Sequence, residues 1–445
     1  MSDLLSIGAS GVRAYQGALT TVGDNIANTG VAGYSRRSIG LAEVTSVNGV
    51  GGRLTSGNGV VITGVSRATD GFRSAAVRNA GADLARTEAG AVWLDRIQSA
   101  LTGAGLGDRL TSFFGGAQSL AADPTSVPQR AVLLENAGSL ASAFTATGRQ
   151  LDGAVDELDA TATQAVASLD SFAAALAKVN DGIARAPSDS ATAAQLGDQR
   201  DELLEQMSAL SDLDVQTDEI GRATVRLGGG TGPVLVAGTE AGHVSYHRSG
   251  GAVSFGVSRA GGVASFTPLG GVLAGMAEGA SRLHDTRASL NALAGDFTDE
   301  VNAIQAGGRD LDGQAGKPLF AAGATPTDLT VALTDPRGIA AASAGAGQRD
   351  TSNLRLLQSM RGAHGWEAGT TALVGGNAAA LEQRKLVADA QSAIRDGAVT
   401  ARDGVSAVDL DQEAVSLLRF QQAYQASSRV IQVARETMQT LLDIH

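Results

Sequence analysis

The chain has 445 residues, a formal net charge of −12 and no cysteine. That acidity argues against a nucleic-acid or anionic-membrane partner, and the missing thiols exclude disulfides, thiolate metal sites and cysteine nucleophiles. Hydrophobic residues make up 43% but aromatics only 4%, so its packing surfaces must be small and close. At roughly 150 residues per domain the length suggests about three domains. No apolar run reaches the roughly 18 residues that a membrane span needs. The first residues lack a basic n-region, a continuous apolar h-region and a small-x-small cleavage site, so any export would not use a cleaved signal. A cysteine-free chain suits passage through a narrow channel in the unfolded state.

Residues 1–28 carry an apolar heptad, Leu5, Val12, Leu19 and Ile26, with Tyr15 and Val22 on the same face. A repeat of seven keeps one stripe facing one partner helix. Gly8, Gly11, Gly17 and Gly23 each cost about 1 kcal/mol against Ala inside a helix. The segment is therefore expected to be disordered alone and to fold only against a partner, where its small residues allow close approach. Asn28-Thr-Gly30-Val-Ala-Gly33-Tyr34 reads as a turn that ends the helix. Residues 36–67, punctuated by Gly49, Gly51, Gly52, Gly57 and Gly59, read as a β-hairpin or extended connector.

A helical pattern runs from about 68 to 114, anchored by Val77, Leu84, Trp93, Leu94, Ile97 and Leu101. Asp123-Pro124-Thr125 and Pro128 then open a very long helix. Leu151, Val155, Leu158, Ala162, Ala165, Leu169, Phe172, Leu176, Val179 and Ile183 step by fours and threes without a break. A helix over 127–185 would be roughly 85 Å long, which suits a spacer or bundle backbone better than a compact active site. Ala186-Pro187-Ser188-Asp189 ends it, and another helix begins at Leu196.

Residues 214–268 differ in kind: Val and Thr alternate with polar residues, and Gly pairs interrupt at hairpin spacing, as expected of a small antiparallel β domain inserted between helices. Helical periodicity resumes at Met276, Leu283, Leu290, Phe297 and Ile304. Residues 307–350 read as loops and short strands, 351–363 as a helix, and 367–395 as the approach to a terminal helix. There Leu410, Leu417, Tyr424, Ile431 and Met438 again fall seven apart, joined by Phe420, Ala434 and Leu441.

The fold class expected is mainly α with an inserted small antiparallel β domain, paired N- and C-terminal coiled-coil helices and a long helical rod in the middle. The divisions are 1–35, an assembly helix and turn; 36–67, the connector; 68–213, the first part of a helical body; 214–268, the β domain; 269–395, the second part of the body; and 396–445, the second assembly helix. The terminal stripes lie outside the globular body and need each other. Burying about ten large apolar side chains at roughly 1.5–3 kcal/mol each would offset the glycine penalty, and ordering both helices calls for neighbouring subunits.

Chemistry is sparse. His243 and His247 could share one face of a strand, but no carboxylate or cysteine beside them in sequence completes a metal set. Asp310-Leu-Asp312-Gly313-Gln-Ala-Gly316 starts like a calcium loop, yet its sixth position is not Gly and its twelfth is Ala321, so a tight Asp/Gly turn is expected. Asp198, Arg200, Asp201 and Glu202 read as a solvated first helical turn with local ion pairs. Trp93 and Trp366 read as core or interface anchors. No Walker lysine, dinucleotide fingerprint, Gly-x-Ser-x-Gly elbow or His-Glu-x-x-His helix is present, and neither catalysis nor a cofactor is expected.

Val22-Gly-Asp-Asn25-Ile26-Ala-Asn28-Thr-Gly-Val-Ala-Gly33-Tyr34-Ser35-Arg36 resembles the N-terminal signature of bacterial flagellar axial proteins. Leu418-Arg-Phe420-Gln421-Gln-Ala-Tyr424-Gln-Ala-Ser-Ser-Arg-Val430-Ile431 resembles their C-terminal signature. The long helix from 127, Leu196-Gly-Asp-Gln-Arg200-Asp-Glu-Leu-Leu204, Gly308-Arg-Asp-Leu-Asp312-Gly-Gln-Ala-Gly316-Lys-Pro-Leu-Phe320 and Asp335-Pro336-Arg-Gly-Ile339-Ala-Ala-Ala-Ser343 narrow the resemblance to the first hook-associated proteins, those of the hook–filament junction. The β insertion is short beside those of larger members. The resemblance implies a non-enzymatic structural adaptor, exported unfolded by the flagellar type III apparatus and located outside the cell. Its implied partners are further copies in a ring at the hook tip, the hook protein, the second junction protein (FlgL) and an FlgN-like export chaperone on the C-terminal helix. A hook or distal-rod subunit is the nearest alternative; a secreted coiled-coil adhesin or a flagellum-borne enzyme is a more distant one. The assembly residues expected are the two stripes, with Asn25, Asn28, Gly33 and Tyr34 shaping the turn.

Overall fold

The structure, a computed structural model, describes residues 2–44, 46–48, 53–55, 59–259 and 261–443. Gly49, Gly51, Gly52 and Gly57 of the connector, and the side chain of Leu441, lie outside the described residues. Helix α1 (Ser2–Ala27) leads into strands β1 (Arg37–Glu43), β2 (Ser46–Asn48), β3 (Arg53–Thr55) and β4 (Val60–Arg67). β1 pairs antiparallel with β4, and β2 with β3. This hairpin lies against α1, where a Cβ on Gly17 would stand 2.9 Å from Ile62 Cδ1 and 3.2 Å from Ile39 Cδ1.

The body starts with α2 (Gly71–Gly103), capped by Asp70, whose carboxylate accepts from the backbone N–H groups of Phe72 and Arg73 at 2.9 and 3.2 Å. The pattern read as one helix over 68–114 is two helices: α3 (Leu106–Ala122) follows a break at Gly105, whose φ of +61° no helix accommodates. Helix α4 (Val127–Arg185) is 59 residues long, with Ser126 as N-cap and Pro128 in its first turn. Helix α5 (Ala191–Leu210) begins at a Ser190 cap, earlier than the Leu196 start expected, because Ser190 Oγ accepts from Ala193 N at 3.1 Å.

The insertion contains β5 (Leu213–Thr217), β6 (Ala223–Leu227), β7 (Val234–Ala237), β8 (Glu240–Ala241), β9 (His243–Ser249), β10 (Ala252–Arg259) and β11 (Gly262–Phe266). They form two antiparallel sheets, ordered β5-β6-β7-β8 and β11-β10-β9. Polar side chains of α4 hold both sheets. Asp159 accepts the Tyr246 hydroxyl at 2.6 Å and the Arg248 guanidinium at 2.8 and 2.7 Å, and Asp170 accepts Val244 N at 2.7 Å. Asn180 is fully buried and bonds both the N–H and the carbonyl of Ala223.

Helix α6 (Gly271–Gly307) returns along the rod and is followed by β12 (Gly308–Arg309), β13 (Phe320–Ala322), β14 (Leu329–Val331), a 3-10 turn (Pro336–Gly338), β15 (Ala342–Ser343) and α7 (Ser352–His364). The Asp310 segment is a closed turn: its carboxylate accepts from Asp312 N at 2.9 Å and Gln314 N at 2.7 Å. Arg130 of α4 is 1% exposed and pairs with no carboxylate among the described residues; it donates to the carbonyls of Pro124, Arg337 and Ile339. Helix α8 (Trp366–Ser406) runs past 395, and a break at 407–409 separates it from α9 (Leu410–Leu442), capped by Asp409. The segment 396–445 thus holds the end of one helix and the whole of the next.

Few aromatics are present, but they are concentrated. Phe297 lies 5.4–6.3 Å, ring centre to ring centre, from Phe113, Phe114, Phe144, Phe320 and Trp366. All six side chains are buried to within 1%, so this hub centres a contiguous apolar core that also takes in Trp93 and the inner strands of the insertion.

Candidate assembly site at the paired termini

Helices α1 and α9 lie antiparallel against each other. The register follows from three points: Gly8 faces Ile431, Gly11 faces Ser427, and Tyr15 stands beside Phe420 with ring centres 6.4 Å apart. A Cβ on Gly8 would stand 2.7 Å from Ile431 Cγ1 and one on Gly11 2.6 Å from Ser427 Oγ. The glycines that weaken α1 as a free helix are therefore what lets α9 approach it.

The stripes are only partly covered. Val22 and Asn25 are buried, whereas Leu5, Val12, Tyr15, Leu19 and Ile26 are half-buried. On α9, Leu417, Phe420, Tyr424 and Ile431 are half-buried and Ala434 is buried, while Leu410 is 51% and Met438 48% exposed. The heptad reading missed a second stripe. At about 100° per residue Val415, Leu418 and Val433 fall on the side of α9 opposite Phe420, Ser427 and Ile431, and they are 67%, 59% and 60% exposed. The signal was available in the sequence, but an apolar helix with two opposed stripes fits no single heptad.

Where α1 ends, a polar knot forms. Asn25 is 1% exposed. Its Oδ1 accepts from the Tyr34 hydroxyl at 2.8 Å and from Arg37 N at 3.0 Å, and its Nδ2 donates to the Arg37 carbonyl at 2.8 Å. Three of the four hydrogen-bonding positions of a buried amide are thus engaged, which fixes the chain's reversal from α1 into β1. The Arg37 guanidinium lies 4.8 Å from the Tyr34 ring centre. Burial is the main cause of a raised Tyr34 pKa, with the Arg37 charge opposing it. Asn28 is half-buried and donates to the Asp24 carbonyl at 2.8 Å; Gly33 is exposed, with φ +78°. The neighbouring Arg36 N donates to the Ser406 carbonyl at 2.8 Å, and the Arg36 side chain reaches the buried Glu413 at 4.0 Å. The knot therefore ties α1, β1, α8 and α9 together.

The charged segment of α5 is not a solvated first turn. Asp198 is 8% exposed and accepts from Arg37 at 3.1 Å and Arg67 at 2.8 Å. Asp201 accepts from Arg67 at 2.7 Å and from Arg200 at 2.6 Å. Gly197 makes room for this: a Cβ there would stand 2.3 Å from Arg67 Nη1. Only Glu202 of the four is exposed. Sequence spacing could not show it, because both arginine partners lie more than a hundred residues away. His243 approaches Asp170 at 3.4 Å, and among the described residues no group of three or more ligating side chains is placed to hold a metal. No described helix is long and apolar enough to cross a membrane.

Residues 93–320, just over half the chain, match the model of the flagellar hook-associated protein FlgK helical domain. The chain belongs to the FlgK family of flagellar hook-associated proteins. Residues 404–444 match a second model, the flagellar basal body rod FlgEFG protein C-terminal region. Among FlgK-family relatives, flagellar hook-associated protein 1 of Salmonella typhimurium is 30% identical over 356 residues, covering 75% of this chain and 63% of its own length. The present chain thus spans less than two thirds of that relative. Flagellar hook-associated protein 1 of Bacillus subtilis is 22% identical but matches over 97% of this chain and 96% of its own length. A solved structure, the flagellar hook junction protein FlgK from Burkholderia pseudomallei, is 26% identical with a TM-score of 0.50, over 57% of this chain and 47% of that one. The family assignment thus rests on residues 93–320 within the helical body and places this chain with proteins of the bacterial flagellum.

Proposed function

We propose that this chain is a non-enzymatic structural adaptor at the junction between flagellar hook and filament, working outside the cell after export in the unfolded state. The observation that carries this reading is the α1–α9 pair, whose outer face keeps Val415, Leu418 and Val433 open although each is apolar. Exposed apolar rows of this kind mark interaction surfaces. The inner stripe holds the two termini of one chain together, and the outer stripe meets further copies in a ring at the hook tip. Hook protein on one side, the second junction protein on the other, and an export chaperone that holds α9 beforehand complete the partner set. The name of the solved relative, a flagellar hook junction protein, supports the junction role. The match of residues 93–320 to the FlgK model favours it over a rod or hook subunit, which the C-terminal match alone would have allowed.

The test is deletion of the gene followed by electron microscopy of the cell surface and a flagellin assay of the medium. Complete hooks without filaments, with flagellin lost to the medium, are expected. Absent hooks would point to a rod or hook subunit, and intact motile flagella would overturn the structural reading.

A further inference from the structure

The terminal unit (α1, the β1–β4 hairpin and α9) and the body meet through polar groups. The contiguous apolar core, with the side chains packed on it, runs from Trp93 to Val374 and takes in no described residue of the terminal unit. Buried apolar residues of the unit, Ala14, Ala18, Val22 and Ala434, lie outside that core. Across the joint stand backbone bonds from Val65 N to the Asp189 carbonyl at 2.6 Å and from Arg36 N to the Ser406 carbonyl at 2.8 Å. Beside them stand Arg37 and Arg67 from the hairpin, paired with Asp198 and Asp201 from α5.

We propose that this joint is a charge-held hinge: the Arg37/Arg67–Asp198/Asp201 cluster, not apolar packing, sets the angle of the terminal unit on the body. Two further features fit a joint that can rearrange. Arg37 Nε is buried and no protein acceptor meets it, so the cluster leaves one donor free for a different partner. A cleft of about 420 Å³ adjoins the cluster, between the turn at Gly30–Ser35 and the side chains of Glu202, Arg402 and Asp403, which leaves the turn room to move. Packed apolar joints resist such motion, whereas ion pairs exchange partners with charges on a neighbour or with salt. These side chains are 11–23% exposed, so the salt effect is expected only towards about 1 M, where the Debye length falls to about 3 Å. A subunit that meets hook on one side and filament on the other would use that freedom; this use rests on the function proposed above, whereas the hinge itself does not.

Because the chain has no cysteine, two labels can be placed without background. Val61→Cys on the hairpin and Lys178→Cys on α4 are both at exposed positions. Pulsed dipolar spectroscopy on the full chain should give one narrow distance distribution at low salt that broadens or shifts as salt rises. The double neutralisation Asp198→Asn/Asp201→Asn should give the broad distribution at low salt, with the melting transition of the body kept. The salt titration needs no substitution, so misfolding of the variant would leave a decisive measurement. A distribution equally narrow at every salt concentration would overturn the hinge without touching the junction assignment, which the gene-deletion phenotype decides separately.

Discussion

The body and the terminal pair are both helical, yet they are held together differently. The body buries an aromatic hub and long aliphatic rows in one continuous core, and its loops are stitched by buried amides and Arg130. The terminal pair has few large buried side chains; its seam is built on Gly8, Gly11, Ala14 and Ala18, and most of its apolar rows are half-open. The body can fold on its own burial, whereas the pair approaches closely but gains little by it. That contrast is what a chain needs if its middle must be rigid and its ends must exchange partners.

The sharpest way to break the contrast is at the hub. Phe297→Ala should cost the body roughly 3–5 kcal/mol, read by urea unfolding followed by circular dichroism, and a loss comparable to a surface substitution would mean that the core is not centred there. Arg130→Ala should cost roughly 1–3 kcal/mol by leaving carbonyls without donors, measured the same way.

A smaller, pH-dependent effect is expected where the insertion docks. The Arg248 guanidinium holds the Asp159 carboxyl below its ordinary value of 3.8. A depressed carboxylate stabilises the fold above that value and loses its contribution as pH falls through the lower, folded-state pKa. Hydrogen exchange in β9 should accelerate below that range, and Asp159→Asn should abolish the step; an unchanged acid response in the variant would contradict the assignment.

At the termini the expected effect on the body is the smallest. Gly8→Val, or Leu417→Asp with Tyr424→Asp, should abolish assembly while changing the body's unfolding free energy by no more than about 0.5 kcal/mol. Leu418→Asp should do the same through the outer face without disturbing the α1–α9 pair. Brief proteolysis of the purified monomer should trim α1 and α9 back to the hairpin, which its ion pairs with α5 keep on the body, and protected helices would contradict the expectation that the pair is ordered by neighbouring subunits.

Much of this was legible in the sequence where one residue's neighbours along the chain decide its fate. The rod over Val127–Arg185 shows itself through unbroken three-and-four spacing between a proline start and a proline stop. The β insertion shows itself through alternation and paired glycines, and the terminal helices through their heptads. Expectations failed where a single turn redirected the chain: Gly105 divides one helical pattern into two, Ser190 starts α5 early, and Asp409 starts α9 after a break.

The sequence alone determined the helical class, the position of the insertion and the two apolar ends, because periodicity and turn chemistry are local. Only the tertiary structure decided which stripe of α9 is covered and which is open, that Asn25 closes the knot with Tyr34 and Arg37, and that Asp198 lies buried between two arginines of the hairpin. Those properties depend on which distant segments meet, and burial and pairing across such distances are set by packing rather than by spacing along the chain.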